Sequence, residues 1–283
     1  MSHRWACLLG QPVAHSLSPA LHNAGFAAAG LDAHYEAREV SPTDLPSAVA
    51  LLRAPDCLGA NVTAPHKQAM FSLVDELSDE ARALGAVNTV INQGGRLIGA
   101  NTDAAGLARW MRLADIDPAG QLCVVLGAGG AARSVVWALF DLRASGVTVL
   151  NRTSSHAQRL VEELQPHLQR NEPQFDLYWD ELTEAALPAA LPCQIMVNAT
   201  SLGHHGAAPE VHPSWYSPLS VAIELAYNPP ETGFMVAARA AGARAENGLG
   251  MLLHQAALAF ERWTGQAPPM GAYEAALTEW LAA

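Results

Sequence analysis

The sequence predicts an α/β protein in two parts, and three observations carry that prediction. Short apolar runs alternate with helix-patterned segments along most of the 283 residues, which is typical of sheets covered by helices. A glycine-rich stretch at 127–132 joins an apolar strand to a helix, and the chain is helical from Leu249 onward. In the second part strand and helix alternate strictly, so we predict a parallel, doubly wound sheet of the Rossmann-like type there.

The first part is predicted to contain three strands, four helical segments and a hairpin. Ser18 at the N-cap and Pro19 at the first helical position begin a helix that ends near Gly30. The strands read WACLLG, HYEAREV and CLGANVT, and the hairpin VNTVINQGGRLIGANTD turns at 93–95. The other helical segments read DLPSAVALLRA, PHKQAMFSLVD and SDEARALG.

The second part is predicted to begin near AAGLARWMRLA, a helix. Its strands read LCVVLG, GVTVLNR, FDLYW, QIMVNAT and SVAIELA, and its further helices read GAARSVVWALFDLRA and HAQRLVEELQ. The Pro-rich stretches 188–192 and 209–218 are predicted to be loops. In the helical end, one face carries Leu252, Gln255, Ala256, Ala259 and Trp263. Gln255 on this apolar face needs a partner, either an internal group or a ligand.

Composition narrows the function classes. The formal net charge is −11 and basic residues form no run, which argues against nucleic acid or an anionic membrane as the main partner. Cys7, Cys57, Cys123 and Cys193 are far apart in or beside apolar runs, so we expect reduced thiols in a cytoplasmic protein. No metal-ligand spacing, signal peptide or membrane-length apolar run is present, and we expect no metal.

The turn at 127–132 is the predicted cofactor site. Its residues are Gly127, Ala128, Gly129, Gly130, Ala131 and Ala132, a variant of GxGxxG between strand and helix. Gly127 permits the tight turn, Gly129 lets the backbone approach a pyrophosphate, and Ala132 lets the helix pack closely. The helix N-terminus then presents N–H groups to the phosphates. An ordinary strand–helix turn is the alternative.

The following strand favours NADP over NAD. It ends in Asn151, Arg152 and Thr153, without the Asp or Glu that typically holds the ribose 2′-hydroxyl of NAD. Arg152 would instead pair with a 2′-phosphate. A solvated charge at a strand end is the alternative interpretation of this arginine.

Lys67 is the only lysine among the 16 lysines and arginines of the chain. Codon bias explains the scarcity of lysine but not this exception. Arginine supplies charge as well as lysine does, yet it does not release a proton at ordinary pH. Reduction of a ketone needs a general acid at the developing oxyanion. We therefore predict that Lys67 is retained because its proton is used.

Other polar clusters follow strands of the first part. Ser16 and Ser18 could bind a carboxylate without importing charge, with plain helix capping as the alternative for Ser18. Asn61 and Thr63 accompany Lys67, and Asn88 and Asp103 come later. Asp103 either begins the next helix or lies beside Lys67, where it would orient the ammonium and share a substrate hydroxyl. These clusters predict a small polyhydroxylated acid held between two domains.

The motifs also resemble one family in order along nearly the whole chain. They are GQPVAHSLSP, GANVTAPHK, GAVNT, NTD, LGAGGAAR, NRT, NATSLG, YNPPETGF and GLGMLLHQAALAF, and together they resemble the shikimate dehydrogenase family. The resemblance implies reversible, NADPH-dependent reduction of 3-dehydroshikimate to shikimate, on the route to aromatic amino acids. It implies a substrate domain at 1–103 completed by 249–283, and an NADP-binding Rossmann domain at 104–248.

The resemblance also implies residue roles. Lys67 and Asp103 are catalytic, and the substrate contacts are Ser16, Ser18, Thr63, Asn88, Tyr227 and Gln255. Asn151, Arg152 and Thr153 match the motif for the adenine-ribose phosphate. Leu225 and Gly248 lie where the family approaches the nicotinamide. The resemblance also assigns Asp79 to the cofactor site. The alternative is that Asp79 is an acid that interacts with the dipole at a helix N-terminus. A homodimer is possible.

Two departures from the family pattern keep alternatives open. Ala104 stands where the family often has glycine, which bears on the hinge between domains. His156 stands where NRTxxR would place a second arginine, so some NAD use stays open. A quinate/shikimate or aminoshikimate dehydrogenase is the alternative function, and a non-catalytic sensor of dinucleotide or quinate-like acids is the remote one. The segment 204–217 matches nothing assignable.

Overall fold

The computed structural model describes residues 3–172, 174–183, 193–205, 207–209, 211, 213–216, 219 and 221–282. The chain divides into two compact units. Unit 1 comprises Met1–Gly106 and Leu252–Ala283, and unit 2 comprises Leu107–Met251. Each unit contains a six-stranded sheet, and the predicted α/β fold class is confirmed.

Six strands form the sheet of unit 1. They are β1 (Arg4–Gly10), β2 (Ala33–Glu39), β3 (Cys57–Val62), β4 (Glu76–Leu77), β5 (Thr89–Gln93) and β6 (Arg96–Ala100). Their order is β2-β1-β3-β5-β6-β4. β1 is parallel to β2 and β3, whereas β5 is antiparallel to β3 and β6. β3 lies mid-sheet and every one of its residues is buried.

The sheet of unit 2 is parallel at each of its strand pairs. Its strands are β7 (Leu122–Leu126), β8 (Gly146–Asn151), β9 (Asp176–Glu181), β10 (Ile195–Asn198), β11 (Val221–Glu224) and β12 (Arg244–Glu246). The order is β12-β11-β10-β7-β8-β9, as expected of a doubly wound sheet. Its core includes Val124, Met196 and Phe234.

The described helices are α1 (Ser18–Ala28), α2 (Leu45–Leu51), α3 (Asp79–Leu84), α4 (Asp103–Leu113), α5 (Gly130–Asp141), α6 (Ser154–Asn171), α7 (Gly233–Ala240), α8 (Leu249–Thr264) and α9 (Met270–Ala282). Short 3-10 helices occupy Ala69–Ser72, Ser201–His205 and Pro213–Trp215. None of these helices is long and apolar enough to cross a membrane.

The predicted hairpin is confirmed, since Gln93 pairs with Arg96 across two glycines in left-handed backbone. The predicted helix PHKQAMFSLVD is wrong except for Ala69–Ser72. In a regular helix each carbonyl accepts a hydrogen bond from the N–H four residues later in the chain. The carbonyl of Lys67 instead accepts from the distant N–H of Val87 at 2.8 Å. This contact between segments replaces the local helical bond.

Other differences concern single elements. The N-cap of α1 is Leu17, so Ser18 is the first helical residue and the predicted cap was wrong by one position. β4, α7 and β12 were not predicted. The predicted loop at 188–192 lies outside the described residues.

Candidate active site

One edge of the unit 1 sheet gathers most of the predicted catalytic residues. β1 and β3 are parallel, so the loops that follow them, with Ser16 and Lys67, leave at the same edge. β5 runs antiparallel to β3, with Asn61 opposite Thr89, so its amino end with Asn88 lies there too. β6 returns antiparallel to β5 and delivers Asp103 to that edge. The mixed direction of these strands therefore brings distant segments together.

Lys67 and Asp103 form a close ion pair. The Lys67 Nζ donates to Asp103 Oδ2 at 2.6 Å, and the two side chains are 17% and 6% exposed. Asp103 begins α4, and its backbone N–H donates to Asn101 Oδ1 at 3.0 Å. An ammonium carries three protons, so one bond to the carboxylate leaves protons for another acceptor.

A buried hydrogen-bond network supports the backbone around Asp103. Asn88 Oδ1 accepts from the backbone N–H of Thr102 at 2.7 Å and from Thr89 Oγ1 at 2.9 Å. Asn88 Nδ2 donates to Thr102 Oγ1 at 3.0 Å. Asn61 Nδ2 donates to Thr89 Oγ1 at 3.3 Å, and Asn61 Oδ1 accepts from the Tyr35 hydroxyl at 2.8 Å. Buried polar groups linked in this way hold a single arrangement.

The network extends to side chains that were not predicted. The ring of His22 is fully buried and stacks on Tyr35 with centroids 4.5 Å apart. Burial lowers the pKa of His22 to about 3. A histidine and a tyrosine among apolar residues give no distinctive pattern, so the sequence offered no signal for this layer.

The two predicted serines take different positions at the start of α1. Ser18 is buried and Ser16 is half-buried. The backbone N–H of Ser18 donates to Ser16 Oγ at 3.2 Å, so Ser16 supplies the hydroxyl that the N-cap prediction gave to Ser18. Nearby, a Cβ on Gly10 would lie 2.3 Å from Thr63 Cγ2, so glycine lets the Thr63 loop lie against the end of β1.

Gln255 and Asp79 also belong to unit 1. Gln255 Nε2 donates to the carbonyl of Leu252 at 3.0 Å, an internal partner. A Cβ on Gly106 would lie 2.7 Å from the Gln255 backbone nitrogen, so α4 and α8 pack closely at this point. Asp79 is exposed in the first turn of α3, which Ser78 caps by accepting from Ala81. This is the setting of a helix-dipole acid.

The glycine-rich turn of unit 2 has the predicted strand–helix setting. Gly127 has φ 103°, and a Cβ there would lie 3.0 Å from the Ala199 carbonyl oxygen. Gly129 is the N-cap of α5, and a Cβ there would meet no atom within 4 Å. Ala132 is fully buried. The turn therefore needs glycine at 127 for its own backbone, whereas the open space at Gly129 fits a group approaching the helix N-terminus.

The predicted 2′-phosphate residues lie at the end of β8. Asn151 Nδ2 donates to the Thr153 carbonyl at 2.9 Å, and the His156 N–H donates to the same oxygen at 3.0 Å. Arg152, Thr153 and His156 are exposed. Within the described part of the chain Arg152 forms no ion pair, so its guanidinium is available to an anion.

The segment after β11 approaches Gly248 closely. A Cβ on Gly248 would lie 1.9 Å from the Leu225 carbonyl oxygen, and the Gly248 N–H donates to the Ala226 carbonyl at 3.2 Å. Tyr227 is half-buried in the same segment. Only glycine at 248 allows this approach.

Glu224 is a buried acid whose position and contacts were not predicted. It ends β11, is fully buried, and burial raises the pKa of its carboxyl. Its oxygens accept from Asn198, Ala226 and Thr232. An acid inside the apolar run SVAIELA was the available signal. Among the described residues no group of three His, Cys, Asp or Glu could hold a metal ion.

A parallel sheet with a glycine-rich turn, together with a partly buried lysine–carboxylate pair, defines a dinucleotide-dependent dehydrogenase of the α/β class. Three family profiles match the chain: the shikimate dehydrogenase substrate binding domain at residues 8–90, shikimate/quinate 5-dehydrogenase at 113–178, and the shikimate 5′-dehydrogenase C-terminal domain at 248–277. The chain belongs to the shikimate dehydrogenase family.

Individual relatives agree over nearly their full lengths. A shikimate dehydrogenase (NADP(+)) from Moorella thermoacetica is 41% identical, over 98% of this chain and 93% of that protein. A shikimate 5-dehydrogenase from Thermus thermophilus, solved with NADP(H) and shikimate, is 36% identical with a TM-score of 0.85, covering 98% and 99% of the two chains. The predicted family and the predicted class of enzyme are confirmed.

The same fold also carries another activity. The ligand-free 5-ketofructose reductase of Gluconobacter sp. strain CHM43 is 31% identical with a TM-score of 0.84, and the match covers 99% of each chain. Similarity at this level therefore includes reductases whose names give different substrates.

Proposed function

We propose that this protein catalyses the reversible, NADPH-dependent reduction of 3-dehydroshikimate to shikimate, a step toward chorismate and the aromatic amino acids. The 2.6 Å pair of Lys67 and Asp103 carries the proposal, because it supplies a proton donor beside an orienting acid. Family membership supports the choice of substrate.

In this mechanism the bound cofactor supplies the hydride, and a side chain of the protein donates and accepts the proton. Lys67 donates a proton to the oxygen that gains negative charge during reduction, and takes it back in the reverse direction. Asp103 accepts from the ammonium and thereby keeps it oriented, and its second oxygen can accept from a substrate hydroxyl. An arginine at position 67 would preserve the charge but not the proton transfer.

We assign the substrate contacts to side chains that carry hydroxyl and amide groups. Ser16 and Ser18 bind the carboxylate, and the hydroxyls are contacted by Thr63, Asn88, Tyr227 and Gln255. Apart from Tyr227, these residues belong to unit 1. Neutral donors bind a carboxylate without placing a second charge in the site.

NADP is assigned to unit 2. Gly127, Ala128, Gly129, Gly130 and Ala131 receive the pyrophosphate at the N-terminus of α5. Asn151, Arg152, Thr153 and His156 receive the 2′-phosphate, and Leu225 and Gly248 lie along the nicotinamide. Asp79 is the remaining residue that the resemblance assigns to the cofactor site. Its exposed position in the first turn of α3 favours the helix-dipole role instead.

The proposed domains are a substrate domain at 1–103 completed by 249–283, and a cofactor domain at 104–248. The compact units, which change at Gly106 and Leu252, support this division. The four cysteines are free and buried, which supports the proposed cytoplasmic location. A homodimer is part of the proposal and is tested by light scattering.

The first experiment is the initial rate of nicotinamide reduction by purified protein with shikimate, with NADP+ in one assay and NAD+ in the other. We expect rapid turnover with NADP+ and slower turnover with NAD+. Absence of turnover with both would refute the proposal. Quinate, aminoshikimate and, in the reverse direction, 5-ketofructose are then assayed, since the Gluconobacter relative favours a keto-sugar as the second candidate.

A further inference from the structure

A second buried carboxylate is unused by the proposed reaction. Of the acids that the structure describes as buried, Asp103 belongs to the catalytic pair and the other is Glu224, which is fully buried. Burying a charge without partners is very costly, so a retained buried carboxylate needs several donors.

Glu224 has donors from two loops. Oε2 accepts from Asn198 Nδ2 at 2.7 Å and from the Thr232 hydroxyl at 3.1 Å. Oε1 accepts from the backbone N–H of Ala226 at 3.1 Å. Asn198 ends β10, and Ala226 and Thr232 bound the segment between β11 and α7. One side chain therefore ties together the loops that follow two adjacent strands.

The first loop leads to the glycine-rich turn. Asn198 Oδ1 accepts from the backbone N–H of Thr200 at 3.1 Å and from its hydroxyl at 2.8 Å. The backbone at Ala199 and Thr200 lies directly against Gly127, where a Cβ would be 3.0 and 3.2 Å from the carbonyl oxygen and the nitrogen. The position of the Gly127 turn thus depends on the loop that Glu224 holds.

The second loop leads to Gly248. The bond from Ala226 to Glu224 orients the peptide chain just after Leu225, whose carbonyl lies against Gly248. Ala226 also accepts from the Gly248 N–H at 3.2 Å. The same carboxylate therefore supports both backbone approaches that the proposed cofactor site uses.

We propose that Glu224 is a positioning residue of the dinucleotide site, whose carboxylate holds the loops after β10 and β11 in the arrangement that binds NADP. The inference rests on the proposed function for the identity of the cofactor. Glu224 acts through the backbone of other residues, and its effect falls on cofactor affinity rather than on proton transfer.

Gly203 provides an independent way to displace this carboxylate. A Cβ at Gly203 would lie 2.8 Å from Glu224 Oε1 and 2.8 Å from Ala226 Cβ. Gly203→Ala would therefore push the intact carboxylate from its partners. Glu231→Gln is the matched control, because Glu231 lies in the same loop but is 56% exposed and pairs with Arg239.

The test is calorimetric titration of wild type, Glu224→Gln, Gly203→Ala and Glu231→Gln with NADP+ and separately with shikimate, alongside thermal unfolding. Glu224→Gln places an amide N–H among existing donors, and the loss of a charge-assisted acceptor raises the Kd for NADP+ by about tenfold or more. The Kd for shikimate rises less than the Kd for NADP+, because Tyr227 is its one proposed contact in the segment that Glu224 holds and the others lie in unit 1. Gly203→Ala has the same effect, and Glu231→Gln has none.

A merely structural role would lower the unfolding temperature of Glu224→Gln and leave the Kd of the folded protein for NADP+ unchanged, which would overturn the inference. If Glu224→Gln fails to fold, unchanged NADP+ affinity in Gly203→Ala would overturn it. Wild-type protein that binds NADP+ but does not oxidise shikimate would refute the proposed function. The comparison of NADP+ affinities between wild type and the three variants would still test the role of Glu224.

Discussion

The two units build their proposed sites from different materials. In unit 1 the site consists of side chains, with Lys67 and Asp103 supported by amides and hydroxyls in a buried network. In unit 2 it consists mostly of backbone, exposed by glycines at 127, 129 and 248. A hydroxylated acid offers donors and acceptors at definite points and needs matched side chains. A pyrophosphate is satisfied by N–H groups at a helix N-terminus.

This difference determines which substitutions impair each site. A side-chain site fails when one chemical group is exchanged, even if the fold is retained. A backbone site fails when a Cβ is added at a close approach or when the groups that hold its loops are changed. Substitutions in the two units should therefore separate proton transfer from cofactor affinity.

The largest expected effect is at Lys67. Lys67→Arg retains a cation but removes the transferable proton, so we expect kcat to fall about a thousandfold with the Kd for NADP+ unchanged. Stopped-flow or steady-state rates of NADP+ reduction measure it. Arg82→Lys, an exposed exchange in α3, is the control. Full turnover by Lys67→Arg would remove the lysine from the mechanism.

Substitutions of Gly127 and Gly129 test whether the cofactor approaches the backbone of unit 2. Gly129→Ala adds a Cβ into open space, so the unfolding temperature should not change while the Kd for NADP+ rises about tenfold or more through collision with the phosphates. Gly127→Ala is strained at φ 103° by about 1–3 kcal/mol, so both stability and affinity should fall. Unchanged NADP+ affinity in Gly129→Ala would show that the cofactor does not approach there.

The buried layer beneath the unit 1 network predicts a dependence of stability on pH. Burial lowers the pKa of His22 to about 3, whereas the unfolded value is about 6.5. Between these values the unfolded chain binds the extra proton, so stability is complete above about pH 6.5 and falls as the pH decreases. The slope contributed by this one group approaches about 1.4 kcal/mol per pH unit.

Urea unfolding of wild type and His22→Phe between about pH 7 and pH 5 measures this contribution. We expect a shallower decline in the variant, and no change of slope in His15→Gln, which alters an exposed histidine. Equal slopes in wild type and His22→Phe would assign the acid sensitivity to other groups.

The smallest expected effect is at Arg152, because its guanidinium is exposed and water weakens such pairs. Arg152→Gln should lower the preference for NADP+ over NAD+ by about tenfold, measured as the ratio of kcat/KM values. Arg159→Gln, an exposed arginine of α6, should leave the ratio unchanged. An unaltered ratio in Arg152→Gln would place 2′-phosphate recognition elsewhere.

Much of this arrangement was predictable from local patterns. The buried strands β7, β8, β10 and β11 and the turn at 127–132 were predicted because a buried parallel strand is a continuous apolar run and its turn requires glycine. Lys67 indicated proton chemistry because it is the single lysine in a chain that otherwise uses arginine. The segment 65–75 was mispredicted because its helical pattern is local, whereas the bond between Lys67 and Val87 is not.

The sequence by itself determined the α/β class, the glycine turn, the candidate lysine and the arginine after β8, since each depends on residue types within a few positions of one another. The tertiary structure decided that Asp103 lies 2.6 Å from Lys67, that Ser16 rather than Ser18 supplies the hydroxyl at the start of α1, and that Glu224 joins two loops. The contacts of Lys67 with Asp103 and of Glu224 with Asn198 depend on sheet order and strand direction, which bring together residues far apart in the chain. The role of Ser16 depends on where α1 begins.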